Sequence, residues 1–208
     1  DKAVKCVKAV TEAFPDKEVV GIGITAQGDG LWMVDENMEP VRNGCCFCDG
    51  RAAKIVDRWV EDGTCDKLFE ITGTRIFTGN QNGIVKWMEE HEPENLDRSR
   101  WLLHLKDYLF YRFTGKITTD ATDQSLIFLD QNKRDYLDET FKICGIEKYK
   151  DKYPPVLSAK ENAFPVQKEL AKELGLGENV IVTSGPIDVS ACALGSGVVE
   201  NCHCCSII

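Results

Sequence analysis

Apolar and polar positions along the chain switch between a helical and a strand-like period. Val4, Val7, Val10 and Phe14 recur at helical spacing with charges between them, which predicts an opening helix. Val19 to Thr25 is β-rich and predicts a strand. Leu31 to Asp35 predicts a second, followed by a turn at Glu36-Asn37-Met38-Glu39. Cys45 to Cys48 is a short apolar run that fits a third strand. Gly50 to Val60 reads as a helix with Ala53, Val56 and Val60 on one face. A Gly/Thr/Asn-rich loop spans Thr72 to Gly83, and a short helix around Trp87 stops near Pro93. One helix is predicted from about Arg98 to Phe113. Trp101, Leu105, Tyr108, Leu109 and Arg112 keep its spacing and Gly115 supplies its stop. Further helices are predicted from about Tyr136 to Cys144, closed by Gly145, and through Val166, Leu170 and Leu174, closed by Gly175. Asn179 to Ser184 fits a buried strand and Ile187 to Leu194 a helix start. Cys204 to Ile208 resembles a strand cut off before its turn.

This alternation predicts an α/β domain, with Tyr153-Pro154-Pro155 as the best candidate for a subdomain joint. The chain has 208 residues, 43% of them hydrophobic and 28% charged, enough for one domain with its own core. Its formal charge of −9 disfavours a nucleic-acid backbone or an anionic membrane as partner, and is compatible with a small neutral ligand. No apolar run approaches the ~20 residues of a membrane span. Asp1-Lys2-Ala3-Val4-Lys5 is not a secretion signal and reads as mid-helix sequence, so the expectation is that residues precede it. Ten cysteines without a secretion signal predict a reduced, cytoplasmic chain.

Several segments carry candidate chemistry. Gly21-Ile22-Gly23-Ile24 runs into a turn bearing Gln27, Gly28 and Asp29. Glycine lets backbone approach a ligand, and an amide with a carboxylate can bind hydroxyls. A plain hairpin turn has the same composition. No dinucleotide-binding glycine pattern precedes a helix here. Asp188 follows Ser184-Gly185-Pro186-Ile187 at a strand-to-helix turn, where it could act as a base or as a helix cap. Asp49 and Arg51 could pair with each other or orient a pocket, or serve as a helix cap and a surface arginine. Cys45, Cys46 and Cys48, with Cys202, His203, Cys204 and Cys205, could supply zinc ligands. Their spacings are wrong for a finger or ribbon, so buried apolar cysteine is the simpler reading and no metal site is expected. His91 and His104 read as isolated structural histidines.

Lys106-Asp107-Tyr108-Leu109-Phe110-Tyr111-Arg112-Phe113-Thr114-Gly115, running on through Thr119-Asp120-Ala121-Thr122-Asp123, closely resembles a signature of the FGGY family of sugar and polyol kinases. Trp87-Met88-Glu89-Glu90-His91 matches the end of another family signature, with Ile84 where that signature has lysine. The resemblance implies an actin-like, RNase H-like domain, a mixed sheet flanked by helices, with the first hairpin strands missing. It implies that residues 1–208 form the N-terminal substrate-binding domain, truncated at both ends. Residues 185–208 would lead toward a C-terminal ATP-binding domain. ATP and Mg²⁺ would then be used, at loops outside this chain. Asp188 matches the family's general base, and Val189 stands where many relatives have Asn or Gln. Gln27, Gly28 and Asp29 match the turn that holds the sugar, Phe47 the position of a pocket tryptophan, and Asp49 and Arg51 the residues beside it. Gly28 and Gly79 replace an arginine and a tyrosine of glycerol kinases, which argues against glycerol. The turn looks like that of the erythritol and L-xylulose kinase branch. The expected activity is ATP-dependent phosphorylation of a polyol or ketopentose at a terminal hydroxyl, by a longer enzyme of which this chain alone is inactive. A non-catalytic sugar-binding protein is the alternative, and a raw sheet edge would favour a homodimer.

Overall fold

The computed structural model describes residues 2–177, 179–200 and 202–203. Helix α1 (Lys2–Ala13) leads into strands β1 (Gly21–Ile24) and β2 (Trp32–Val34). Helices α2 (Ala53–Glu61), α3 (Thr64–Thr72), α4 (Gln81–His91) and α5 (Pro93–Arg98) follow, then β3 (Trp101–Leu103) and α6 (Leu105–Thr114). Short elements come next: β4 (Thr119–Asp120), α7 (Ala121–Gln124), β5 (Leu129–Asp130), β6 (Asp135–Tyr136), α8 (Asp138–Ile143), a 3₁₀ turn at Glu147–Lys152 and β7 (Val156–Leu157). The described fold closes with β8 (Ala163–Pro165), α9 (Lys168–Leu174), β9 (Ile181–Ser184) and α10 (Asp188–Gly195).

The site is positioned by a mixed sheet of order β1-β9-β8. β1 and β9 run parallel, with Gly21 opposite Ile181 and Ile24 opposite Ser184. Both strands therefore end at the same edge, and the segments that leave them emerge side by side. Crevices beyond the carboxyl ends of parallel strands are where open α/β sheets bind ligands. Helix α6 covers this sheet: Phe110 and Phe113 pack with Ile24, Val180, Val182 and Leu174 in one core. A larger core joins α2, α3, α4 and α8, where Phe128 stacks on Phe141 at 4.0 Å and Tyr153 meets both edge-on. Parallel β4 and β7 and the β5-β6 hairpin lie apart from the main sheet.

Several expectations require correction. The segment from Arg98 to Phe113 is not one helix. Trp101–Leu103 is a strand paired antiparallel with β2, and the helix begins only at Leu105. Leu102 and Leu103 are fully buried, and His104 with Asp107 forms a capping box that sets the new start. Cys45 to Cys48 is not a strand. Only Cys45 pairs, as an isolated bridge to Leu31, and the chain then turns. The helix around Trp87 does stop near Pro93, at His91, but Pro93 itself opens a further helix, α5, where its missing N–H has no cost. Helix α3 and the first residues of α4 fall in stretches without a predicted helix. α1 exists, but none of its residues is buried: Val10 stays 57% exposed, and Phe14, just past the helix end, 59%. Cys204 to Ile208 lies outside the described residues.

Candidate active site

The turn after β1 and the loop after β9 are laced together by backbone. Gly185 N donates to Ile24 O at 2.8 Å, and Asp188 N to Ala26 O at 3.0 Å. Thr25 Oγ1 adds a bond to Pro186 O at 2.7 Å. Within the turn, the Gln27 Nε2 is buried and has no hydrogen-bond partner among the described residues, a donor without an acceptor in a place where one is costly. Gly28 is buried, and a Cβ there would meet Leu126 Cδ1 at 2.9 Å and Ile187 at 3.4 Å. Its part is therefore close packing of the turn against Leu126, just past α7, and Ile187, just before α10. Asp29 takes a left-handed conformation, φ 60°, and accepts from Asn80 Nδ2 at 2.5 Å. Asn80 is buried, and its Oδ1 in turn accepts from Phe77 N at 2.6 Å. Burial pushes the Asp29 pKa above the ordinary carboxylate value. His104 and the Asn80 hydrogen bond oppose that shift, and the charge of Asp188 adds to it.

Asp188 is the first residue of α10 and half-buried; its Oδ1 accepts from Val189 N at 2.8 Å. The cap position belongs to Ile187. Phe47 is half-exposed and reaches this region through Gly79. Gly79 O accepts from Gly30 N at 2.9 Å, and a Cβ on Gly79 would stand 1.7 Å from Phe47 O. Gln27, Asp29, Phe47 and Asp188 are thus connected by one set of turns. Asp49 and Arg51 are engaged with each other. Arg51 donates to both Asp49 oxygens, at 2.8 and 3.0 Å, and lies over the Trp87 ring. That ring stacks on His91. Ile84, at the position of the expected lysine, is fully buried in the larger core.

Sequence reasoning missed a buried charge network directly behind these turns. Lys106 has no exposed surface, and its Nζ binds Asp120, Ser184 Oγ at 2.9 Å and Asp123 Oδ2 at 2.9 Å. Burial disfavours the Lys106 charge, but Asp123, Asp107 and Asp120 outweigh burial and raise its pKa. Burial also pushes His104 toward neutrality, and Asp123, Asp107 and Asp29 lift it to about 9. The His104 ring accepts a bond in the α6 cap, which needs an unprotonated nitrogen. A ring that takes up the second proton gives up that bond and gains the attraction of the carboxylates. The signal for this network was the charged residues in the strongest motif, which pattern alone reads as solvent-facing.

Donor atoms of His104, Asp107 and Asp123 lie within 4.8 Å of one another. The group does not fit a nucleotide's Mg²⁺. All three residues are buried, and the Lys106 ammonium already neutralises Asp123. The cysteines form no such group among the described residues. Cys45 is buried, and that burial raises its thiol pKa. Among the described residues no helix is long and apolar enough to cross a membrane.

The turn after β1 and the segment after β9, each bearing an aspartate, leave the carboxyl ends of two parallel strands side by side. The model of the FGGY family of carbohydrate kinases, N-terminal domain, matches residues 1–195. The chain belongs to this family. It is 32% identical over 182 residues to an erythritol kinase from Brucella abortus, covering 88% of this chain and 35% of that protein. It is 32% identical over 204 residues to an L-xylulose/3-keto-L-gulonate kinase from Escherichia coli, covering 95% and 41%. The crystal structure of ligand-bound xylulose kinase from Lactobacillus acidophilus superposes with a TM-score of 0.86 at 20% identity, over 94% of this chain and 39% of that one. The fold is the actin-like ATPase fold of these kinases. The chain spans well under half the length of these relatives.

Proposed function

We propose that this chain is the substrate-binding part of an ATP-dependent kinase for a neutral polyol or ketopentose, with ATP bound by a domain beyond residues 185–208. In this reading the substrate lies between the Gln27–Asp29 turn and Asp188. The orphaned Gln27 Nε2 donates to a substrate oxygen, and Asp29 accepts from a hydroxyl while Asn80 holds it. Phe47 covers an apolar face. The Asp188 carboxylate takes the proton of the terminal hydroxyl as that oxygen bonds the γ-phosphorus of ATP. The bond from the γ-phosphorus to the β-γ bridging oxygen breaks, and ADP leaves. No step is assigned to a metal held by this chain.

One observation carries the reading: the bond from Asp188 N to Ala26 O at 3.0 Å ties the base to the substrate turn. The substrate is a neutral one because Asp29 and Asp188 both face it, and the Arg51 guanidinium is committed to Asp49. Such a setting repels a sugar acid. The test is Asp188→Asn in the intact kinase, assayed with erythritol and L-xylulose. Turnover should fall by about 10²–10⁴, with sugar binding retained. Equal loss of turnover and binding would remove Asp188 as base. Sugar binding by an intact wild-type protein that never transfers phosphate would give the non-catalytic alternative.

A further inference from the structure

We propose that Lys106, Asp120 and Thr122 are positioning residues that mount Asp188 against the Gln27–Asp29 turn. The inference rests on the reading of Asp188 as the group that takes the substrate proton.

Among the described residues, the Asp188 carboxylate bonds the next backbone amide, Val189 N, and no other group. Its aim is therefore set by the backbone of the segment from Gly185 to Ile187. One side of that segment is tied to Ala26 and Thr25. The other side is tied to α7. Ile187 is 3% exposed, and its N–H donates to Thr122 Oγ1 at 3.0 Å. A buried amide at a helix start needs a partner from outside the helix, and Thr122 is that partner. The Thr122 hydroxyl spends its own proton on Asp120 Oδ1 at 2.5 Å, so the direction of the bond to Ile187 is fixed. Asp120 is fixed in turn. It accepts from Thr122 N at 2.8 Å and pairs with the fully buried Lys106 ammonium. Lys106 also holds Ser184 Oγ at 2.9 Å, at the last residue of β9. The segment bearing Asp188 is thus gripped at its start by Lys106 through Ser184, and at its end by Asp120 through Thr122. An apolar pair could fill this space without desolvating charges. The ion pair adds direction, and a reacting group displaced by about 1 Å loses about 10²-fold in rate.

Amide exchange followed by NMR on the 208-residue chain tests the mount without any substrate. The Ile187 amide should be protected in the wild type, exchange about tenfold faster in Thr122→Val, and regain protection in Thr122→Ser. Thermal unfolding should fall by only a few degrees in Thr122→Val and stay near the wild type in Thr122→Ser. Asp120→Asn, which keeps an acceptor for Thr122 but drops the charge, should move the same amide in the same direction. In the intact kinase, assayed with ATP and erythritol or L-xylulose, Thr122→Val should lower kcat by about 10- to 100-fold with KM for the sugar nearly unchanged. Thr122→Ser should restore kcat. An Ile187 amide that exchanges at the wild-type rate in Thr122→Val overturns the mount. A freed amide with an unchanged kcat overturns its role in positioning. If the wild-type kinase phosphorylates neither sugar, the substrate reading fails, and the exchange data still decide whether Thr122 holds the segment.

Discussion

Two side chains next to the turn carry predictions of their own. Asn80→Ala removes the donor that opposes the burial-raised pKa of Asp29. The Asp29 titration, followed by NMR, should move further up, and calorimetry should show polyol affinity about tenfold weaker. An unmoved Asp29 titration would mean that Asn80 serves only the Phe77 segment. His104 gives a pH dependence. Its folded pKa is lifted to about 9 by carboxylates that outweigh burial, against ~6.5 when unfolded. The folded state therefore holds that proton more tightly. The stabilisation is complete below pH ~6.5 and disappears as pH rises through 9, on the order of 3 kcal/mol in all. Denaturant titrations between those limits should show the decline, and His104→Gln should flatten it. An equally steep decline in the variant would assign it to another group.

Among the elements, α1 and α9 make the sharpest contrast. Thr11 Oγ1 bonds Leu174 O at 2.9 Å, and Val4 and Val7 pack part-buried on the sheet core, but Val10 and Phe14 face away from it. Val10→Lys should change stability by less than about 0.5 kcal/mol. Leu174→Ala, at a residue 1% exposed, should cost about 2–5 kcal/mol. Urea unfolding of both variants checks the pair, and a large loss in Val10→Lys would mean that α1 has a covered face. The same scale explains what was legible in advance. Gly115, Gly145 and Gly175 are readable stops because all three take positive φ, at 71°, 65° and 66°. β1 and β9 are legible as apolar runs bounded by glycine. Trp101–Leu103 is not, since a short strand that joins a helix directly keeps the helical spacing. β4 to β8 are two or three residues long, below any window in which a period can be seen. Gln27, Asp29 and Asp188 stand out as candidates through the family resemblance, on turns that follow readable strands. Asn80 and the Lys106 network do not. Their burial comes from tertiary packing, and charge or amide in a sequence reads as surface.

At the scale of the whole molecule, a net charge of −9 surrounds the proposed substrate position, which has two carboxylates of its own. A sugar acid such as L-gulonate should therefore bind at least about tenfold more weakly than erythritol near neutral pH. The gap should narrow with added salt, and again as acid protonates Asp29. Calorimetry with the two ligands measures it, and equal affinities would mean that a cation faces the substrate. Between Gly79 and the Phe47 carbonyl there is no room for even a methyl group. A side chain at the first position requires the backbone at the second to move. A tyrosine grafted at Gly79 to recruit glycerol would arrive as a clash, until the segment around Phe47 is replaced with it. The two positions should be inherited, and engineered, as a pair.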